Sequence, residues 1–271
     1  NNAGSLVTSA VIELLGPRLI GQDPFRTEGI WNDMYQDSLL HGRTGSVMRA
    51  LSALDIALWD RNAKASGLPL WRMLGGFYTG DVPAYASGGY YLDGKTSEML
   101  GNELSNYVKQ GFAAVKIKVG RLSLREEASR LQAAREAIGD GVHLMLDANN
   151  AWHDLESALA FARMAESFHP YWLEEPFSPD DIVNHAALSQ RTTIPIATGE
   201  IEAGRWRFLD ILQKGAAMIL QPDVAVCGGI TEFRRITATA ASFGVSVCPH
   251  WFHDLHLHLV ASSPNATYVE F

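Results

Sequence analysis

Cysteine is scarce in this sequence. Cys227 and Cys248 are the two in 271 residues, and they lack the C-x-x-C spacing of a zinc or redox motif. They read as reduced core thiols of a cytoplasmic protein. Clustered positive charge is missing as well. Acidic residues number 30 against 22 basic ones, for a net charge of −8, and no basic block occurs. A phosphate backbone is gripped by clustered lysine and arginine, so a nucleic-acid partner is not expected. No apolar run approaches the roughly 18 residues of a membrane span, so no membrane role is expected either. Asn1-Asn2-Ala3-Gly4 lacks the basic and apolar stretches of a signal peptide. Apolar side chains are plentiful, at 47% hydrophobic against 19% charged. The length allows one large domain or two smaller ones, with a core that needs neither disulfides nor structural metal.

Residues 1–76 read as helical. Val47, Leu51, Leu54 and Leu58 recur at helical spacing, and the helix runs to Lys64 before Gly67 and Pro69 break it. A helix so rich in Ala, Leu and Ile must pack against something large. Leu74-Gly75-Gly76 closes this region. From residue 82 short apolar runs alternate with amphipathic stretches. The runs are Val82–Ser87, Ala114–Gly120, His143–Asn149, Tyr171–Pro176, Pro195–Glu200, Ala217–Asp223, Val245–His250 and Ala266–Phe271. Helix-like stretches such as Leu124–Ile138, Leu155–Phe168 and Thr231–Phe243 lie between them. Strands alternating with helices predict a parallel sheet. Eight strands with seven connections predict a closed barrel rather than a doubly wound open sheet. The open sheet usually carries a Gly-rich phosphate loop after its first strand, and Ser87-Gly88-Gly89-Tyr90-Tyr91 is not GxGxxG.

Each run after the first carries ionisable residues at or near its end: Lys116 and Lys118, then Asp147, Glu174, Glu200, Asp223, His250 and Glu270. In a barrel such residues converge on one rim, where the βα-loops build active sites. So many charges cannot be buried without serving one another, a metal, or both. Asp147, Glu174 and Glu200 form an oxygen-rich trio, the set that hard divalent cations such as Mg²⁺ prefer. Zinc would want His or Cys. His256 and His258 are two apart on a helix, point to nearly opposite faces and make a poor metal pair.

Lys116 and Lys118 are two apart on a strand and share a face. Their crowding is expected to lower each other's pKa and help one act as a neutral base. Asp223 beside His250 would fix an imidazole tautomer and raise its basicity, as suits a general acid/base pair. Together these parts fit removal of a proton alpha to a substrate carboxylate that is held by the cation. Bases on two sides of the carbon permit racemisation or dehydration. Cys248, two residues before His250, is a weak candidate nucleophile, since Pro249 intervenes and no oxyanion-hole motif is present. Cys227-Gly228-Gly229 reads as a tight βα turn opening a helix.

The sequence resembles the mandelate racemase subgroup of the enolase superfamily. The stretch Ala50-Leu51-Ser52-Ala53-Leu54-Asp55-Ile56-Ala57-Leu58-Trp59-Asp60, followed by Lys64, Pro69 and Leu74-Gly75-Gly76, is similar to a signature of that family. Lys116-Ile117-Lys118 resembles its KxK base motif. Asp147-Ala148-Asn149, Glu174-Glu175-Pro176 and Gly199-Glu200 resemble its three ligand motifs, and Pro222-Asp223 with Pro249-His250 its His–Asp dyad. The match runs from about residue 45 to the end; each motif alone is weak, but the ordered set is highly specific. The resemblance implies a (β/α)7β TIM-like barrel (residues 77–271) preceded by the helical portion of a capping domain (residues 1–76). It also implies Mg²⁺ dependence and acid–base chemistry on a carboxylate. Lys118 is then the base, with Lys116 modulating it and helping to hold the substrate carboxylate. Glu270, 20 residues after His250, takes the place of a carboxyl group that hydrogen-bonds that carboxylate. Glu175 is read as a strand-end neighbour rather than a ligand. The family's N-terminal capping strands and C-terminal return are not evident, so both ends read as truncated and activity of the chain as it stands is open.

Three readings follow. The first is a lyase that dehydrates a sugar acid to a 2-keto-3-deoxy acid, with Tyr90, Asn149 and Trp152 as substrate contacts and Tyr91, Asn150 and His253 as further rim candidates. The second is a racemase or epimerase of a 2-hydroxy acid using the same Lys118 and His250. The third is a non-catalytic remnant. A small-molecule carboxylate is the expected partner in the first two, and a homo-oligomer the expected assembly.

Overall fold

The computed structural model describes residues 4–78 and 80–271. The chain opens with helices: α1 (Gly4–Ser9), a π-helical turn at Ala10–Leu15, a 3-10 turn at Gly16–Arg18, α2 (Thr27–Ser38), α3 (Gly45–Ala65) and α4 (Leu70–Met73). Strands and helices then alternate as β1 (Ala84–Gly88), α5 (Ser97–Lys109), β2 (Ala114–Lys118), α6 (Leu124–Ile138), β3 (His143–Asp147) and α7 (Leu155–Ala165). The alternation continues with β4 (Pro170–Glu174), α8 (Ile182–Ser189), β5 (Ile196–Thr198), α9 (Arg205–Gln213), β6 (Ile219–Leu220), α10 (Gly229–Ser242), β7 (Ser246–Val247), α11 (His253–Ala261) and β8 (Val269–Glu270).

The strands form one eight-stranded sheet in the order β7-β6-β5-β4-β3-β2-β1-β8, and the pairs from β1 to β6 are parallel. Val247 also bridges Ala266 in parallel. Sequential order has no reversal point, so the doubly wound alternative is not formed. This is the α/β barrel topology that the alternating runs predict. All eight runs overlap a strand, but several strands stop short of the run. Asn149, Glu175 and Gly199 have φ of 43°, 45° and 127°. The chain leaves extended geometry there, just beyond Asp147, Glu174 and Thr198.

By its internal contacts the chain divides into two compact units. One comprises Pro83–Thr198, Ile211–Leu220 and Glu270–Phe271. In this unit the two-residue period of β2 sorts its side chains. Val115 and Ile117 join an apolar cluster with Leu100 and Leu104 of α5, Leu131 of α6, Leu144 and Leu146 of β3 and Phe161 of α7. Lys116 and Lys118 fall on the other face. Burial on both faces is the rule for parallel strands, and here one face is apolar while the other carries charge. Ser123 and Glu126 form a reciprocal capping box at the start of α6, and Thr96 and Asp154 cap α5 and α7.

The other unit gathers the residues up to Val82 with Gly199–Asp210 and Gln221–Val269. Its core holds Leu15, Ile30, Trp31, Met34, Met48, Ala50 and Leu51, with Leu54 and Leu58 packed against it. The apolar helix α3 thus finds the partner its composition requires, and its polar side chains grip α10. Asp55 accepts from the Thr231 backbone N–H (2.8 Å) and hydroxyl (2.7 Å), and Ser52 Oγ accepts from Gly228 N–H at 3.0 Å. Gly229 (φ 81°) is required by this approach, since a Cβ there would stand 2.5 Å from the Asp55 carboxylate. Cys227 and Cys248 are both buried, and burial pushes the Cys227 thiol well up. Among the described residues, no helix is long and apolar enough to cross a membrane.

Candidate active site

Strands β2, β3, β4 and β8 place five charged side chains together in the first unit. Lys116 Nζ, 1% exposed, donates to Glu174 Oε1 and Oε2 at 2.9 and 3.1 Å. It also pairs with Glu270 Oε1 at 3.0 Å and Asp147 Oδ2 at 3.7 Å. Lys118 Nζ donates to Asp147 Oδ2 at 2.5 Å. Trp172, two residues before Glu174 on the same strand face, donates its indole N–H to Glu174 Oε2 at 3.0 Å. Tyr85 and Tyr90 lie beneath the Lys116 and Lys118 ammonium groups, with ring centroids at 5.3 and 5.5 Å. The expected mutual lowering of the two lysine pKa values is corrected for Lys116. Burial pulls it down, but Glu174, Tyr85, Glu270 and Asp147 outweigh burial and hold its pKa well above the usual lysine value. Each ammonium sits against carboxylates rather than against the other lysine.

The second cluster lies in the other unit. His250 Nδ1 is 3.1 Å from Asp223 Oδ2, and its Nε2 is 3.6 Å from Glu200 Oε2. The Asp223 carboxylate is itself fixed, because Oδ1 accepts the Ala225 N–H at 2.8 Å. The imidazole therefore has carboxylates on both sides. Gly199 turns the chain into Glu200, and a Cβ on it would stand 2.7 Å from the Phe208 ring. Only glycine tolerates that φ and that approach together.

The remaining residues singled out by sequence divide. Asn149 is exposed, and its backbone N–H donates to Asp147 Oδ1 at 2.9 Å, bracing that carboxylate. Tyr90 is 44% exposed beside Lys118. Trp152 packs its ring on Phe161, centroid to centroid 4.8 Å, and against the apolar cluster. Tyr91 gives its hydroxyl to Glu127. Asn150 donates to Glu175 Oε2 at 2.9 Å and to the Phe177 carbonyl at 2.6 Å. His253 is exposed beside Asp254.

The sequence reading takes Glu175 only as a strand-end neighbour and leaves out Glu127 and Arg130. Fully buried Glu175, just beyond the end of β4, accepts the Thr198 hydroxyl at 2.5 Å. Fully buried Glu127 accepts the N–H groups of Gly120, Arg121 and Leu122 at 3.0 to 3.1 Å, pinning the turn after Lys118. Arg130 donates to the Lys118 carbonyl at 3.1 Å and the Gly89 carbonyl at 2.9 Å. Glu175 left a signal, a second acid at the end of an apolar run; Glu127 and Arg130 look like ordinary charges on an amphipathic helix.

Asp147 and Glu174 in one unit and Glu200 in the other are the carboxylates whose chemistry suits a metal ion. The donors fit a hard divalent cation, being all oxygen with no thiolate or imidazole. Charge points the same way. In the first cluster the carboxylates of Asp147, Glu174 and Glu270 face the ammonium groups of Lys116 and Lys118, three negative charges against two positive. Buried excess charge of one sign is costly, and a cation offsets it.

Comparison with known proteins agrees. Residues 99–271 match the enolase C-terminal domain-like family model, and residues 3–75 match the mandelate racemase/muconate lactonizing enzyme N-terminal domain. The chain is 37% identical to a 3,6-anhydro-alpha-L-galactonate cycloisomerase of Streptomyces coelicolor, over all of this chain and 74% of that protein. A racemase structure from Streptomyces coelicolor A3(2) with bound magnesium superposes with a TM-score of 0.95 at 36% identity, over 100% of this chain and 80% of the other. An L-talarate dehydratase of Polaromonas sp. JS666, complexed with Mg and L-glucarate, superposes with a TM-score of 0.93 at 34% identity, over 100% and 75%. Other relatives are acid-sugar dehydratases and a further cycloisomerase, and the chain spans 64% of the length of two of them. The chain belongs to the mandelate racemase/muconate lactonizing enzyme family of the enolase superfamily, a family of lyases and isomerases.

Proposed function

We propose that the protein removes the proton alpha to the carboxylate of an acid sugar and eliminates water, giving a 2-keto-3-deoxy acid. One observation carries this reading: each candidate base touches a carboxylate of the metal group. Lys118 meets Asp147 at 2.5 Å, and His250 meets Glu200 at 3.6 Å. Asp147, Glu174 and Glu200 would hold Mg²⁺, which when bound would draw negative charge from the substrate carboxylate. Lys118, as the free amine, takes the alpha proton. The electron pair left on that carbon moves into the carboxylate, then expels the neighbouring hydroxyl, and His250 gives that group its proton so that it leaves as water. Asp223, on His250 Nδ1, steadies the imidazole for this transfer. Lys116 and Glu270 lie 3.0 Å apart and hold the substrate carboxylate. Tyr90, Asn149 and Trp152 are the proposed substrate contacts, Asn149 and Tyr90 having the more exposed positions. Residues 1–76 act as the helical part of a capping domain and 77–271 as the barrel that carries the chemistry, a division that the two family models support.

Relatives include two cycloisomerases and a racemase, so a second reading keeps the proton abstraction without loss of water. One assay separates the two. The protein is incubated with Mg²⁺ and a panel of aldonic and aldaric acids in deuterated water, and products are read by mass spectrometry. A keto acid lighter by one water supports dehydration. Deuterium at the alpha carbon with the skeleton's mass otherwise conserved supports racemisation or epimerisation. No product and no deuterium with any acid, from protein that binds Mg²⁺, refutes both.

A further inference from the structure

Neither Asp223 nor His250 lies on a strand. β6 ends at Leu220 and β7 at Val247, so both members of the pair stand on the loops beyond. Something other than the sheet must fix their 3.1 Å approach. The Asp223 loop is partly self-braced, with the Asp223 carbonyl accepting the N–H groups of Val226 (2.9 Å) and Cys227 (2.7 Å). The His250 loop is strained. Trp251 and Phe252 have φ of 56° and 32°, a region that bulky residues enter at a cost and keep only where neighbours enforce it.

His256 joins these two loops. It sits in the first turn of α11 and is fully buried. Its Nε2 lies 3.0 Å from the backbone N–H of Val224, the residue after Asp223. Its Nδ1 lies 2.8 Å from the carbonyl of Trp251, the residue after His250. The two contacts fix its protons. An amide N–H can only donate, so Nε2 accepts and carries no hydrogen; a carbonyl can only accept, so Nδ1 carries one. His256 is therefore a neutral imidazole in a single tautomer, spanning the loop of each partner.

We propose that His256 is a positioning residue of the Asp223–His250 pair, holding the carboxylate and the imidazole in register by tying Val224 to Trp251. Its ring is bonded to two backbone groups, and it acts through them on the residue beside each. For its effect on turnover, the assignment rests on the acid/base role given to His250 above; for its effect on geometry, it does not.

The test uses the full chain as wild type, His256→Leu and His256→Gln, with imidazole nitrogen NMR, thermal melting, Mg²⁺ binding and turnover of the best acid. In wild type, His256 should show the neutral Nδ1–H pattern throughout the interval from about pH 5 to pH 8, in which free imidazoles titrate. His256→Leu should lose or broaden the His250 Nδ1 proton signal. Its kcat should fall about a hundredfold, while KM and Mg²⁺ affinity hold. Glutamine can accept with its oxygen and donate with its nitrogen, so His256→Gln should recover most of the signal and of kcat. A His256 that titrates in that interval overturns the proposal. So does a leucine variant with an undisturbed His250 signal, or a glutamine variant no better than the leucine one. If His256→Leu does not fold, the wild-type tautomer and the glutamine variant decide. If wild type turns over no acid, the function proposed above fails, and the NMR comparison alone decides the role of His256.

Discussion

Asp55 makes a pH signature that can be isolated from every other group in the protein. It is a buried carboxyl on α3, and burial lifts its pKa from 3.8 to about 7, against the lowering pull of its hydrogen bonds from Thr231 and Ile230 and the charge of Arg235. A carboxyl whose folded pKa is raised binds more protons folded than unfolded. Its contribution to stability is fully present below pH 3.8 and is lost as pH rises through about 7. The rise, at about 1.4 kcal/mol per pH unit, amounts to about 4 kcal/mol. Asp55→Asn removes the titration while keeping the shape, and its amide oxygen still accepts the Thr231 N–H. Denaturant unfolding of both proteins between about pH 4 and pH 8, subtracted at each pH, cancels the titration of all other groups. The expected difference moves in favour of asparagine by about 4 kcal/mol as pH rises, and flattens above pH 7. Parallel curves would refute the raised pKa, and a difference moving toward aspartate would show that its bonds outweigh its burial.

Other changes have equally definite outcomes. Lys116→Met strips the ammonium from Glu174, Glu270 and Asp147; metal-free protein should lose about 3–5 kcal/mol in chemical denaturation, and added Mg²⁺ should restore part of it. Gly199→Ala forces a Cβ into the Phe208 ring at φ 127°; it should cost about 1–3 kcal/mol and weaken Mg²⁺ binding measured by calorimetry, because Glu200 follows directly. Glu127→Ala frees the three N–H groups after Lys118, and should raise amide hydrogen exchange at Gly120, Arg121 and Leu122 above that of α5.

The parts of this protein that the sequence discloses are those with a local period. Val115 and Ile117 alternate with Lys116 and Lys118, so one strand announces both its core face and its chemical face. Apolar runs ending in Asp147, Glu174 and Asp223 mark strand ends because charge there has to be used. What stays hidden depends on partners far along the chain. Asp55 meets Thr231 across 176 positions, and Trp31 donates to the Gly228 carbonyl across 197. No pattern near either residue records the other. His256 looked like half of a poor metal pair, and the structure shows its imidazole bonded to two backbones instead. The strand ends fell short of the apolar runs for a similar reason. Asn149 and Glu175 continue the composition of a strand but adopt left-handed geometry, set by what their neighbours bind. The raised pKa of Lys116 is hidden from the sequence because the carboxylates that cause it come from other strands.

Everything proposed for the chemistry depends on one divalent ion held jointly by Asp147, Glu174 and Glu200. Calorimetric titration of Mg²⁺ into wild type and into Asp147→Asn, Glu174→Gln and Glu200→Gln tests it without any substrate. The account predicts one ion per chain in wild type and a large loss of affinity in every variant. Unchanged affinity in any one of the three, Glu200→Gln above all, would contradict it.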